Sequence, residues 1–176
     1  MTKKKEYTKC IVVLTVICLV VAVLLAVTNS FTAPVIAANK EQAIQESLQQ
    51  VIPGGTFEEV ALPAGTPETV SSLYLETSGK GYVAVLATTS QYSNGDMGIT
   101  AAIADDGSIQ AIALTSYYES KDFGKDTYPL NFIGATAENV MDVDVFSGAT
   151  YSSTAFKEAL ADALTAWQLV KEASAG

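Results

Sequence analysis

Apolar residues fall into three regimes along this chain. From Cys10 to Val27 the run CIVVLTVICLVVAVLLAV holds about 18 residues without a charge or helix breaker, near the lower end of what crosses a hydrocarbon core as a helix. Thr28 to Ala33 extends it toward the headgroup region. From Val35 to about Val51, Ile36, Ile44, Leu48 and Val51 recur at helical spacing among Gln and Glu. That spacing predicts an amphipathic helix ending before Pro53-Gly54-Gly55, with Thr32-Ala33-Pro34 breaking the first helix or its continuation. Residues 53–70, rich in Pro, Gly and Thr, read as a loop with at most one short strand.

Beyond residue 70 the period shortens. Leu73 and Leu75 precede a turn at Ser78-Gly79-Lys80-Gly81, and Tyr82-Val83-Ala84-Val85-Leu86-Ala87 follows as a strand buried on both faces. Ile99–Ala104 and Ile109–Leu114 flank Asp105-Asp106-Gly107-Ser108, the strongest hairpin signal in the chain. Tyr117 to Phe132 is polar, aromatic and glycine-containing. It reads either as a functional loop or as a connection whose aromatic residues pack on the core. Phe156, Leu160, Ala163, Leu164, Trp167 and Val170 mark one face of a closing helix, with Trp167 in its apolar stripe. Helix, several strands and then helix predict an α+β fold with a mainly antiparallel sheet and flanking helices. The boundaries read as a basic tail over 1–9, a transmembrane helix over 10–30, a connecting helix over 31–52 and one folded domain over 53–176.

Charge changes the picture at the N-terminus first. Lys3, Lys4, Lys5 and Lys9 precede the apolar run, whereas the whole chain of 176 residues carries a net charge of -9. The basic cluster predicts a cytoplasmic N-terminus and an exported body. The span is expected to remain uncleaved, because Ala37 and Ala38 lie far beyond the apolar core and Thr15-Val16-Ile17-Cys18 lacks the small residue of a lipoprotein signal. An acidic body argues against nucleic acid as a partner. Both cysteines, Cys10 and Cys18, lie in the span and read as membrane filler. Histidine is absent, so the commonest general base and metal ligand is missing. No catalytic residue and no resident metal are expected, and chemistry at neutral pH would come more readily from a borrowed cofactor.

One stretch carries candidate chemistry: Asp144-Val145-Phe146-Ser147-Gly148-Ala149-Thr150-Tyr151-Ser152-Ser153. Ser147 and Gly148 predict a tight turn in which Gly148 lets the backbone approach a ligand. Ser152, Ser153 or Thr154 read as caps for the following helix, whose start suits a bound phosphate. The plain alternative is a capping loop in which Thr150 is an ordinary exposed hydroxyl, and Asp142 and Asp144 are solvated carboxylates.

This stretch resembles the flavin-attachment motif of the FMN-binding domain family, Asp-x-x-Ser/Thr-Gly-Ala/Ser-Thr. The resemblance implies FMN carried by Thr150 through a phosphoester bond. It extends to layout: the chain is similar to the RnfG-type subunits of Rnf electron-transport complexes, and to the related FMN-bearing subunit of the sodium-pumping quinone reductase. Both have an N-terminal span and an exported FMN domain. Thr32-Ala33-Pro34-Val35-Ile36, Gly81-Tyr82 and the Asp106-Gly107 turn resemble family segments at corresponding places. The resemblance implies one covalent FMN, with Ser147, Gly148, Ala149, Asp144, Glu119, Tyr117 and Gly124 around it. It also implies partners: other membrane subunits of an Rnf-type complex, membrane lipid, and a flavin transferase that uses FAD and magnesium and reads Asp144.

The middle loop departs from the family. Where the family carries His-x-Glu-Thr-Pro-Gly-Leu-Gly, this chain has Tyr117-Tyr118-Glu119-Ser120-Lys121-Asp122-Phe123-Gly124. Glu119 and Gly124 remain, while the histidine, the proline and the first glycine are replaced. Three functions follow in order of preference: an anchored flavoprotein relaying electrons between ferredoxin and NAD in an ion-translocating complex, a free-standing extracytoplasmic flavin carrier, and a non-redox anchored binding domain. The chain has no dinucleotide-binding glycine fingerprint of its own.

Overall fold

The computed structural model describes residues 2–79, 81–91, 93, 95–119 and 122–175. Lys80 of the first turn, Ser120 and Lys121 of the middle loop, and the side chains of Lys3, Lys4, Lys5 and Cys10 lie outside the described residues. The chain forms two units, Met1–Gln42 and Ala43–Gly176.

The first unit is helical and belongs to α1, Thr2–Val51. Its apolar side chains from Ile11 to Val27 are exposed along the helix, and this is the one helix among the described residues long and apolar enough to cross a membrane. Cys18 is exposed on it. The expected break at Pro34 does not occur, because the helix runs through it. Proline deprives Ser30 of one ladder bond. The hydroxyls of Thr28, Ser30 and Thr32 fold back onto the carbonyls of Leu24, Ala26 and Thr28 at 2.9, 2.9 and 3.0 Å, so these polar side chains are satisfied within the helix.

The second unit begins with the last turns of α1. It continues through β1 (Phe57–Val60), β2 (Val70–Glu76), β3 (Gly81–Thr88), β4 (Met97–Ile103) and β5 (Ile109–Ser116), and ends in α2 (Thr150–Ala175). The five strands form an antiparallel meander in sequence order. Such a meander needs only short connections. The hairpin expected at Asp105–Ser108 joins β4 to β5.

Strand alternation divides the core between the two faces of the sheet. Leu73, Ala84, Leu86, Ile99, Ala101 and Ile103 face α2 and the middle loop. Tyr74, Val83, Ala102 and Ala113 face the other way, beneath Leu48, Val51 and Ile52. The sheet is thus covered on both faces, which is why β3 and β4 read as continuous apolar runs. The stripe expected from Ile36 to Val51 is shorter than its sequence pattern. Ile36 is exposed, and burial starts with Ile44 and Leu48, where the sheet supplies a surface. On α2, Phe156, Leu160, Ala163, Leu164 and Val170 are buried. Trp167 is half-buried against the core and packs over Gly107 of the hairpin turn.

The middle loop is less of a loop than its polarity implied. Tyr128–Phe132 forms a short 3-10 helix, and Phe123, Tyr128, Pro129 and Phe132 are buried. Phe123 and Phe132 each pack on Phe156 with centroids 5.4 and 5.5 Å apart, and Tyr128 joins all three at 5.3 to 5.9 Å. Distances in this range give the tilted and edge-to-face contacts favoured by aromatic quadrupoles. The cluster binds the middle loop to α2 and so places the turn before Thr150.

Candidate functional site

The turn is built as its residues predict. Ala149 N–H donates to Phe146 O at 3.1 Å, closing a four-residue turn whose third residue, Gly148, has φ +87°. That left-handed conformation at the third position is what glycine supplies in a type II turn. A Cβ on Gly148 would find no atom within 4 Å, so the approach to the turn is open. The chain then enters α2: Ser153 N–H donates to Ala149 O at 3.0 Å and Thr150 is the first helical residue. Thr150 is exposed, and its hydroxyl has no bond among the described residues.

Ser152 and Ser153 therefore lie inside the first turn of α2 and do not cap it. Ser153 Oγ donates to Ala149 O and Thr150 O at 3.0 and 3.1 Å, and accepts Phe146 N–H at 3.0 Å. Ser152 is buried and donates to Glu119 Oε2 at 2.5 Å. Ser90, between β3 and β4, donates to the same oxygen at 2.5 Å. Glu119 also forms a single bridge with Ser93. One carboxylate thus joins the middle loop, the β3–β4 connection and the start of α2. Glu119 Oε1 is sealed from solvent without a partner among the described residues.

The other nominated residues divide into two groups. Gly124 (φ +71°) lies against Phe146: a Cβ there would come within 3.0 Å of Phe146 Cε2 and of Thr127 Oγ1. Asp144 is exposed at its side chain and accepts Tyr128 Oη–H at its carbonyl, 3.0 Å away. Ser147 is exposed and Ala149 buried. Glu119, Gly124, Asp144 and the turn therefore converge. Tyr117 turns elsewhere. Its hydroxyl accepts Phe123 N–H at 3.2 Å, burial raises its pKa, and it lines a groove of about 440 Å³ along β5 that includes no residue of the turn or of α2.

Ser90 and Tyr128 were invisible in the sequence as parts of this site, because each acts through a partner far along the chain. Burial holds the Tyr128 phenol above the ordinary tyrosine range, ahead of smaller effects from Ser153 and Asp144. The fold therefore favours the neutral phenol. Its contribution is complete below the unfolded pKa of about 10 and is lost as pH rises through the folded value. Tyr128→Phe is expected to cost about 1 kcal/mol at pH 8. The gap in melting temperature between variant and wild type should narrow as pH rises beyond the ordinary tyrosine value of about 10. A gap independent of pH would exclude this contribution.

The arrangement fits a phosphate ester of FMN. A free hydroxyl stands at the first position of a 26-residue helix, beside an open glycine turn. Around it, Val145, Phe146 and Tyr151 are 39%, 36% and 55% exposed, giving apolar surface against which a flavin ring can rest. No group of three or more His, Cys, Asp or Glu able to hold a metal occurs among the described residues.

Comparison with known families gives two matches. Residues 2–51 match the RnfG N-terminal region, and residues 93–165 match the FMN-binding domain, which includes the middle loop, the turn and most of α2. Comparison of the full sequence with curated proteins gives no match.

Proposed function

Because the chain belongs to the RnfG-type subunits of multisubunit Rnf complexes and carries their FMN-binding domain, we propose that it is a membrane-anchored electron relay whose FMN is esterified to Thr150. The observation that carries this reading is the free Thr150 hydroxyl at the start of α2, directly after the open Gly148 turn. Bound FMN supplies one- or two-electron transfer, chemistry for which the chain's own side chains have no substitute.

The residues would divide the work as follows. Gly148 keeps the path to the hydroxyl clear, while Ser147 and Ala149 complete the turn. Phe146 and Tyr151 offer apolar surface to the ring, and the exposed Asp144 carboxylate is read by a flavin transferase. Glu119 and Gly124 hold the middle loop behind the turn, and Tyr117 staples that loop from its far side. In the transfer, the Thr150 oxygen bonds to the FMN phosphorus of FAD and the phosphoanhydride bond breaks. AMP leaves with the bridging oxygen, and the hydroxyl proton passes to solvent.

The basic residues ahead of the span favour a cytoplasmic N-terminus and an extracytoplasmic FMN domain. A covalent link then prevents loss of the cofactor outside the cell, and the anchor keeps the flavin concentrated near membrane partners. Electrons moving between ferredoxin and NAD would pass through this protein as a relay. The decisive experiment is intact mass together with in-gel flavin fluorescence after expression with an active flavin transferase. A gain of FMN minus one water, mapped to Thr150, is expected. An unmodified chain beside a modified control substrate would refute the reading.

A further inference from the structure

The segment leading into the turn is held largely through its backbone, with the Phe146 ring also packed against Gly124 and edge-to-face on Tyr128. Lys157, on α2, donates from Nζ to Met141 O at 3.2 Å and to Val143 O at 3.1 Å. Tyr128 donates to Asp144 O, and Ser153 accepts Phe146 N–H. Four backbone groups between residues 141 and 146 are therefore engaged by side chains from elsewhere. The side chains of Met141, Asp142, Asp144 and Val145 are left exposed. Lys157 thus bonds carbonyls with its ammonium.

A surface whose backbone is occupied and whose side chains point outward can be recognised through those side chains, but not by strand pairing. Pre-ordering such a surface removes the entropy cost of ordering it on binding. We propose that Lys157 is a positioning residue for cofactor attachment: it holds the Met141 and Val143 carbonyls so that a FAD-carrying flavin transferase meets Asp144 and the Thr150 hydroxyl on one preformed surface. This role rests on the reading of Thr150 as the acceptor. The bond changes are those of the transfer given above. Lys157 neither takes the proton nor touches FAD; it acts only through the backbone it holds.

The test uses the full flavin-free chain with a flavin transferase, FAD and magnesium, and follows initial rates of covalent fluorescence against acceptor concentration. Lys157→Met should raise KM for the acceptor about fivefold and leave kcat within about twofold, since what is lost is pre-organised binding. Lys157→Arg, which keeps several donors, should restore KM to within about twofold of wild type. Thr69→Val serves as the control for general destabilisation, because it loses a 2.5 Å bond to Asp162 remote from the segment. It should leave KM unchanged. Independently of transfer, amide exchange across residues 141–146 should rise about tenfold in Lys157→Met, reflecting local opening. A wild-type KM in Lys157→Met, an equal rise in Thr69→Val, or unchanged exchange would overturn the positioning role. A wild-type chain that takes up no flavin would instead overturn the Thr150 reading and this role with it.

Discussion

Replacing Thr150 with valine is expected to abolish the covalent flavin proposed there and to leave the domain folded. Valine has nearly the shape of threonine and is likewise branched at Cβ, so the backbone of the first helical turn is undisturbed. The lost hydroxyl bonds no described residue, and the position is exposed. The stability cost should therefore fall within about 0.5 kcal/mol, the usual range for surface changes. The chemical cost is complete, since no phosphoester can form without the oxygen. Ser152 and Ser153 offer no substitute, because both are buried with their hydroxyls engaged. Intact mass, in-gel fluorescence and a thermal melt on Thr150→Val decide the matter together. Covalent flavin retained in that variant would sink the assignment, whereas flavin loss accompanied by a collapsed melt would point to misfolding. Thr150→Ser, which restores the oxygen, should recover modification.

The largest loss of stability is expected from Phe156→Ala. Phe156 is fully buried and packs on Phe123, Tyr128 and Phe132 at centroid distances of 5.4, 5.9 and 5.5 Å. Truncation removes the ring's burial and leaves a cavity between α2 and the middle loop, at a cost of about 3–5 kcal/mol. Against a total stability of about 5–15 kcal/mol, that is a large share. The melting temperature should fall by roughly 10–15 °C for a domain of this size. Phe156→Leu, which keeps most of the apolar volume, should cost less than half as much. Because Phe156 joins the loop bearing Glu119 to the helix bearing Thr150, flavin incorporation in the alanine variant should decline with the folded fraction. A fall in melting temperature of under about 3 °C would show that this cluster does not organise the site.

Several elements were legible because their signals are local. The apolar run from Cys10 to Val27, the turn at Asp105–Ser108 and the stripe from Phe156 to Val170 each record a period or a turn preference within a few neighbouring residues. All three appear in α1, the β4–β5 hairpin and α2. The Gly148 turn was legible for the same reason, since its left-handed conformation restricts residue choice at one position. The motif around Thr150 and the segment after the span also carried the family, which the matches over residues 2–51 and 93–165 bear out.

What tertiary structure alone decided are the meetings between distant residues. Glu119 joins Ser90 and Ser152, which are 29 and 33 positions away, and no local pattern marks those serines as its partners. Nothing local marks Lys157, yet it reaches two carbonyls 14 and 16 residues upstream. Phe123, Tyr128 and Phe132 lie in a polar stretch without period, and only the face of the sheet together with α2 makes them core. Ile36 shows the converse: it has the spacing of a core position and is exposed. Periodicity states which side of an element is apolar. Burial and hydrogen bonding depend on which surface the rest of the chain brings to that side, and that is a property of the whole fold.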